Sequence, residues 1–343
     1  MHFFRQILFP LLIPMSWLYG CIIWIRNQFY NFGWIKITSF NKPVISVGNI
    51  TSGGTGKTPL VIYLAQFILK NGKKPGIISR GYGRKSNGLQ VVHDGKKLLA
   101  DAETAGDEPC LMARVLEKVP VVVCEDRSHG IRELLDYYSV NVIIMDDSFQ
   151  HRKVNRNLDI VTVSANEKNE NYKLMPRGNL REPLKNIDRA SCIIYTKTEN
   201  YKTPAIHSAI QPLLKTNPIN SSLLPTLMIY NSSGYQKTRT PDKPVFAFCG
   251  IAEPNSFINS AKELSLIIKG NRFFQDHQEY TEAVINDLSE QIKACGINHV
   301  VTTEQDMVKL PESFLVEFKV YVIKIDVILE NESVFQDIIQ PYL

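Results

Sequence analysis

Residues 46–59 read Ser-Val-Gly-Asn-Ile-Thr-Ser-Gly-Gly-Thr-Gly-Lys-Thr-Pro. A short apolar strand (Val44, Ile45, Val47) runs into a glycine-rich turn, then Lys57-Thr58, then a helix. That is the phosphate cradle of P-loop nucleotide-binding proteins. Thr51, Ser52, Gly53, Gly54, Thr55 and Gly56 would wrap a phosphate chain with backbone N–H groups, the glycines admitting close approach because they lack Cβ. Lys57 would reach the β/γ-phosphates, and the Thr58 hydroxyl would hold Mg²⁺. The following helix turns its positive end toward the same anion, and Pro59 is tolerated in its first turn. The strict pattern has glycine at position 51, where this chain has Thr51. A chance glycine turn is the plain alternative, and the coincidence of strand, loop, Lys-Thr and amphipathic helix argues against it.

Other candidate groups sit at element ends. Asp146-Asp147 closes the apolar run Asn141–Met145, the Walker B arrangement that holds Mg²⁺; otherwise the two are surface turn acids. Gly106-Asp107-Glu108-Pro109 precedes a helix. Asp107 is either its N-cap or a base that takes the proton of an attacking hydroxyl, a contribution of about 10²–10⁴-fold. Arginines recur on loops: Ser79-Arg80-Gly81-Tyr82-Gly83-Arg84, Asp126-Arg127, and Arg177-Gly178 to Leu180-Arg181-Glu182-Pro183. Each alone is as readily a solvated charge, but together they suit a site handling two phosphorylated partners. Asp276-His277 gains meaning only with a partner such as Asp107, whose carboxylate the imidazole would orient. Thr303-Glu304-Gln305-Asp306 reads first as a helix cap, with Thr303 capping and Asp306 at the third position.

These groups need elements to position them. Strands are read near Pro43–Val47, Pro75–Ser79, Val119–Cys124, Val140–Met145, Leu158–Val163 and Ser191–Thr196, with helices near Pro59–Lys70, Glu108–Lys118 and Ser128–Tyr138. Most of the strands are unbroken apolar runs, as parallel strands covered on both faces require. A small hairpin is read at Leu89–Leu99, turning at Asp94-Gly95. The expected fold is α/β: a P-loop NTPase-like, doubly wound, mostly parallel sheet with a second, smaller α/β domain. The nucleotide-binding domain is expected over 31–215, and a Ser/Asn/Thr/Pro-rich linker over 216–243 with one strand-like run, Leu227–Tyr230. The smaller domain is expected over 244–343, with strands Val245–Cys249, His299–Thr302 and Val320–Ile325 and helices Asn255–Ile267 and Thr281–Ala294.

Residues 1–30 form an expected membrane-anchoring segment. Ile7–Ile25 carries no charge and lies between Arg5 and Arg26. It approaches the roughly 20 residues needed to span a bilayer. A cleaved signal peptide is disfavoured by the lack of a small-residue cleavage site. Pro10, Pro14 and the aromatics Trp17, Tyr19, Trp24, Phe29 and Tyr30 favour a segment lying in the interface over a spanning helix or a buried core helix. Arg5, Arg26, Lys36 and Lys42 would each add about 1 kcal/mol on an anionic leaflet. The 343 residues, 44% hydrophobic and 21% charged, describe a globular protein with a sizeable core. The formal charge of +5 suits an anionic lipid surface, and no nucleic-acid-binding motif accompanies it. Six cysteines without a C-x-x-C pair read as buried reduced thiols rather than a zinc site.

As an ordered set, these motifs resemble the tetraacyldisaccharide 4'-kinase family of lipid A synthesis, with the likeness running from the N-terminal segment to about residue 310. Val47 to Pro59, Ser79 to Gly83, Gly106 to Pro109, Asp126-Arg127, Asp146 to His151, Leu180 to Pro183, Asp276-His277 and Thr303 to Asp306 carry it. Thr51 is then a family habit. The resemblance implies ATP- and Mg²⁺-dependent phosphorylation of the 4'-hydroxyl of an acylated glucosamine disaccharide 1-phosphate, giving lipid IVA, at the cytoplasmic face of the inner membrane. It implies Asp107 as base with His277 as its partner, Lys57 on the transferred phosphate, and Thr58, Asp146, Asp147 and Glu108 as candidate Mg²⁺ ligands. This chain departs from the family at Ser148, commonly Gly, and Gln305, commonly Lys. Two rivals stand beside this reading. A deviant-Walker ATPase switch shares the G-G-x-G-K-T loop but needs a lysine near Thr51-Ser52. A GTPase is a poor match, because Thr196-Lys197-Thr198-Glu199 departs from N-K-x-D. No protein partner is read from the sequence.

Overall fold

Parallel strands with apolar side chains on both faces must be covered on both sides, and they build the centre of this molecule. The computed structural model describes residues 2–199, 203–231 and 234–343. The strands are β1 (Val44–Asn49), β2 (Pro75–Ser79), β3 (Gln90–Asp94), β4 (Pro120–Val123), β5 (Val142–Asp146), β6 (Leu158–Ser164), β7 (Cys192–Thr196), β8 (Ile219–Asn231), β9 (Gly234–Lys237), β10 (Val245–Cys249), β11 (Ile268–Phe273), β12 (His299–Thr303) and β13 (Lys319–Leu329). The helices are α1 (His2–Asn31), α2 (Lys57–Lys70), α3 (Ala102–Ala105), α4 (Asp107–Val115), α5 (Arg127–Tyr137), α6 (His207–Ile210), α7 (Pro254–Glu263), α8 (Glu282–Ala294), α9 (Glu304–Met307), α10 (Glu312–Glu317) and α11 (Glu332–Ile339).

The strands form one 13-stranded sheet in the order β11-β10-β12-β13-β8-β7-β6-β1-β5-β2-β4-β3, with β9 on β8. Pairing is parallel except for β3 on β4, β13 on β8 and β9 on β8. β1 lies between β5 and β6, so the loop after it opens where the crossovers diverge, the ligand position of open α/β sheets. The expected hairpin is present, with β3 followed by a bridge from His93 to Leu98.

The stretch 216–243 is not a linker. It holds β8 and β9, and β8 joins the two halves of the sheet. Ile219 and Asn220 pair with β7, and Ser221 to Ile229 pair with β13. The chain end also departs from expectation. Phe335 and Ile339 of α11 are fully buried in the core that contains Leu60, Leu64 and Ile144, not with β10–β12. Each contributes on the order of 1.5–3 kcal/mol by burial. Tyr63 fixes the same contact, with its ring 5.9 Å from that of Phe335 and its hydroxyl donating to Glu332 at 2.5 Å.

α1 runs unbroken through Pro10 and Pro14. The side chains of residues 2–11, Arg5 and Pro10 among them, lie outside the described part. Beyond them one face docks on the body. Ser16 Oγ donates to Leu174 O at 2.8 Å, Tyr19 to Arg181 O at 2.6 Å, and Arg26 to Gln150 O at 2.7 Å. Arg26 and Arg152 both lie over the Tyr30 ring. The other face leaves Trp17, Leu18, Ile22, Trp24 and Ile25 exposed, and Phe32, Trp34 and Ile37 continue it past the helix end. No described helix is long and apolar enough to cross a membrane. All six cysteines are free, four of them buried, while Cys21 is exposed on α1.

Candidate active site

β1 is buried along its whole length and delivers the glycine-rich loop. Gly48 lets β1 pass under Phe149, because a Cβ there would lie 2.6 Å from the Phe149 backbone nitrogen. Thr51 forms an antiparallel bridge to Leu180, and Ser52 N donates to Asn179 O at 2.7 Å. An extended, paired backbone needs no glycine, which explains why Thr stands at 51. Thr55 anchors the loop from below. Its hydroxyl meets Asn49 Nδ2 at 3.0 Å and Thr162 Oγ1 at 2.8 Å, and its carbonyl accepts from Thr196 Oγ1 at 2.9 Å. Gly53, at φ 113°, adopts a backbone closed to other residues, and a Cβ on Gly53 or Gly54 would meet nothing within 4 Å. The loop is therefore fixed on one side and open on the other, as a phosphate cradle must be. α2 starts at Lys57 with no side-chain cap, so its first amides remain for an anion.

Lys57 and Thr58 are buried at this helix start. Asp146 ends β5, 1% exposed; its Oδ2 accepts from Ser79 Oγ at 2.8 Å, and its Oδ1 has no hydrogen-bond partner among the described residues. Burial, then the charges of Glu108 and Asp147, push its carboxyl up to about 7. Asp147 has a left-handed backbone, φ 44°. Its carboxylate takes two hydrogen bonds from Arg181, at 2.8 and 2.9 Å, and lies 3.5 Å from Lys57 Nζ. Burial raises this carboxyl most, but Lys57 and Arg181 together hold it below the ordinary carboxylate range. The two acids thus differ: Asp147 is spent on cations, and Asp146 keeps a buried oxygen without a donor. That oxygen fits a divalent cation. Among the described residues no group of three or more His, Cys, Asp and Glu is placed to hold a metal alone. The free Asp146 oxygen matches Mg²⁺, which uses one or two carboxylates with phosphate oxygens and water.

Asp107 is the first residue of α4; the N-cap is Gly106, at φ 94° and without a side-chain bond. Capping therefore does not account for the aspartate. Its Oδ2 collects three donors: His277 Nδ1 at 3.0 Å, Lys309 Nζ at 3.1 Å and Gln305 Nε2 at 3.4 Å. All three come from the second half of the chain. Burial pushes the Asp107 carboxyl up, but His277 and Lys309 outweigh it and leave it below its ordinary value. His277 sits at φ 57°, a strained backbone for a residue with Cβ, and Gly250 O accepts its N–H at 3.1 Å. The hydrogen bond to Asp107 raises the imidazole above 6.5, against an opposing effect of burial. The stabilisation from this pair is fully present below 6.5 and is lost as pH rises through the higher folded-state value. The melting difference between the parent and His277→Gln should therefore be larger at about pH 6 than at about pH 9; equal differences would show that the imidazole charge does not hold the pair.

Thr303 does cap α9, its hydroxyl accepting from Asp306 N at 3.1 Å. Sequence reasoning missed Lys309. The spacing Asp306-x-x-Lys309 after a capping threonine was the available signal, since residues three apart on a helical turn face together. The loop arginines divide. Arg84 pairs with Glu125, and Arg127, 3% exposed, donates to Cys124 O at 2.8 Å; both are structural here. Arg181 joins Asp147 at the site, and Arg80 is exposed directly after β2. Glu182 is buried under Arg189, Asn186 and Gln150 and holds the loop carrying Arg181. The Thr196–Glu199 segment is engaged in packing. Thr198 Oγ1 donates to Ser221 O, Glu199 accepts from Leu223 N, and Lys197 pairs with Glu253.

Comparison with known proteins agrees with this geometry. The family model described as tetraacyldisaccharide-1-P 4'-kinase matches residues 8–343, so the likeness extends past residue 310 through α11. The tetraacyldisaccharide 4'-kinase of Chlorobaculum parvum is 38% identical over 309 residues, covering 88% of this chain and 84% of that protein. That of Desulfotalea psychrophila is 37% identical over 321 residues, covering 92% of each. A crystal structure of LpxK from Aquifex aeolicus in complex with ATP superposes with a TM-score of 0.79 at 34% identity, covering 99% of both chains. With the open P-loop, the two acids at the end of β5 and the Asp107–His277 pair in one chain, and with relatives matched over most of their length, this chain belongs to the tetraacyldisaccharide-1-P 4'-kinase family.

Proposed function

We propose that this chain transfers the γ-phosphoryl group of ATP to the 4'-hydroxyl of an acylated glucosamine disaccharide 1-phosphate, giving lipid IVA. The observation that carries the mechanism is the Asp107–His277 contact at 3.0 Å, which joins α4 to the second half of the chain. Amides of residues 51–58 and Lys57 would neutralise the phosphates. Thr58 and Asp146 would hold Mg²⁺, with Asp147 and Glu108 nearby. The ion supplies charge neutralisation of the transferring group. Asp107 works with Oδ2 tied down, leaving Oδ1 as the oxygen that accepts the hydroxyl proton. As the new P–O bond forms, the bond to ADP breaks and the proton passes to Asp107. A carboxylate held ionised is a weak base, which suffices where the transition state is loose and positioning dominates. Incubation of the purified protein with labelled ATP and the lipid disaccharide, followed by product mapping, tests the reading. Label at the 4'-position supports it; ATP consumed without labelled lipid would point to the ATPase switch.

The exposed apolar face of α1, with Trp34 beyond it, supports peripheral attachment in the interface of the inner membrane's cytoplasmic face. Replacing Trp17, Trp24 and Trp34 together by serine should lower partition onto anionic vesicles about tenfold or more, because interfacial affinity scales with buried apolar and aromatic area. ATP binding in detergent should be unaffected. Unchanged vesicle pelleting would refute the anchor.

A further inference from the structure

Asp306 is fully buried, and its carboxylate, whose Oδ2 also accepts from Thr303 Oγ1 at 2.7 Å, serves two further neighbours. Oδ2 accepts from Gly250 N at 2.9 Å, while Oδ1 lies 3.4 Å from Lys309 Nζ. Gly250 in turn holds His277 by its carbonyl. A Cβ on Gly250 would lie 2.8 Å from Gln278 Cβ and 3.2 Å from Asp306 Oδ1, so the junction is closed-packed. Both ionisable donors to Asp107, His277 and Lys309, are therefore aimed by one carboxylate. Lys309 has only 8% of its side chain exposed, and its ammonium sits 5.5 Å from the Tyr280 ring centroid. Its freedom is taken up by Asp306, Tyr280 and Asp107. Gln305 makes the longest of the three contacts with Asp107, 3.4 Å.

We propose that Lys309 is a positioning residue for the phosphoryl transfer, bridging Asp306 and Asp107 so that the second half of the chain docks on Asp107 with Oδ1 turned toward the acceptor hydroxyl. This rests on the reading of Asp107 as base. The physical reason is charge. Asp107 and Asp306 face each other across one ammonium, and without it two carboxylates repel where the halves must meet. Gln305 is neutral and offers no replacement. A charge-assisted bond at 3.1 Å is also the firmer constraint on the carboxylate's orientation.

The test is steady-state and single-turnover transfer from labelled ATP to the lipid disaccharide by the full chain. Lys309→Met should lower kcat about 10- to 100-fold, the loss expected of a base displaced by about 1 Å, with KM for both substrates changed less than about threefold. Lys309→Arg should restore most of the rate, and Lys309→Gln repeats the loss should the methionine variant fail to fold. In an Asp107→Asn background, Lys309→Met should cost less than about twofold more, because the two act as one unit. An unchanged kcat, or the same fold-loss in both backgrounds, would overturn the proposal while leaving Asp107 as base. A fully active Asp107→Asn would overturn the base assignment and the proposal with it.

Discussion

Asp107→Asn should lower kcat by about 10²–10⁴-fold, the usual contribution of a positioned base, and leave ATP affinity near that of the parent. The substitution keeps the shape at the start of α4 and the His277 contact, but takes away the lone pair that accepts the proton. Retained ATP binding is expected because the P-loop contacts run through Thr55, Asn49, Thr162 and Thr196, none of which touches Asp107. The measurement is transfer rate beside nucleotide titration. Near-normal turnover would remove Asp107 from the base role, and lost ATP binding would mean that it supports the cradle instead.

Lys57→Ala should cost on the order of 10³-fold or more in transfer, because a preorganised cation aimed at the moving charge is lost from a buried site. Here the lysine is buried and lies 3.5 Å from Asp147. Removing it leaves Asp147 to Arg181 alone, so the cradle loses a cation while an acid beside it loses half its compensation. Unlike Asp107→Asn, this variant should bind ATP more weakly as well. A variant with parental turnover would place the phosphate-binding charge elsewhere, Arg181 first.

The central strands were legible because each is apolar on both faces, a pattern that few other structures tolerate; the P-loop and Asp146 follow from those strands' ends. β8 was not legible. Ser221, Ser222 and Pro225 read as loop, yet Pro225 lies opposite Ile325 where β7 has already ended and its missing N–H costs no ladder bond. β11 was hidden by Lys269, Asn271 and Arg272, polar as an edge strand should be. Within the site, the Asp107–His277 contact entered through family likeness. Lys309 touches Asp107 across 202 residues, a separation over which no local periodicity reports.

The return of α11 to the core around Leu60 and Ile144 bears on biosynthesis. The ribosome must translate past Phe335 and Ile339 before the half made first can close its interior. At roughly 5–20 residues per second, that compartment waits many seconds with its apolar lining unfinished, a window in which chaperone binding or aggregation competes with folding. Messages cut short near their 3' end would release chains that carry every motif for chemistry and still lack a sealed nucleotide half.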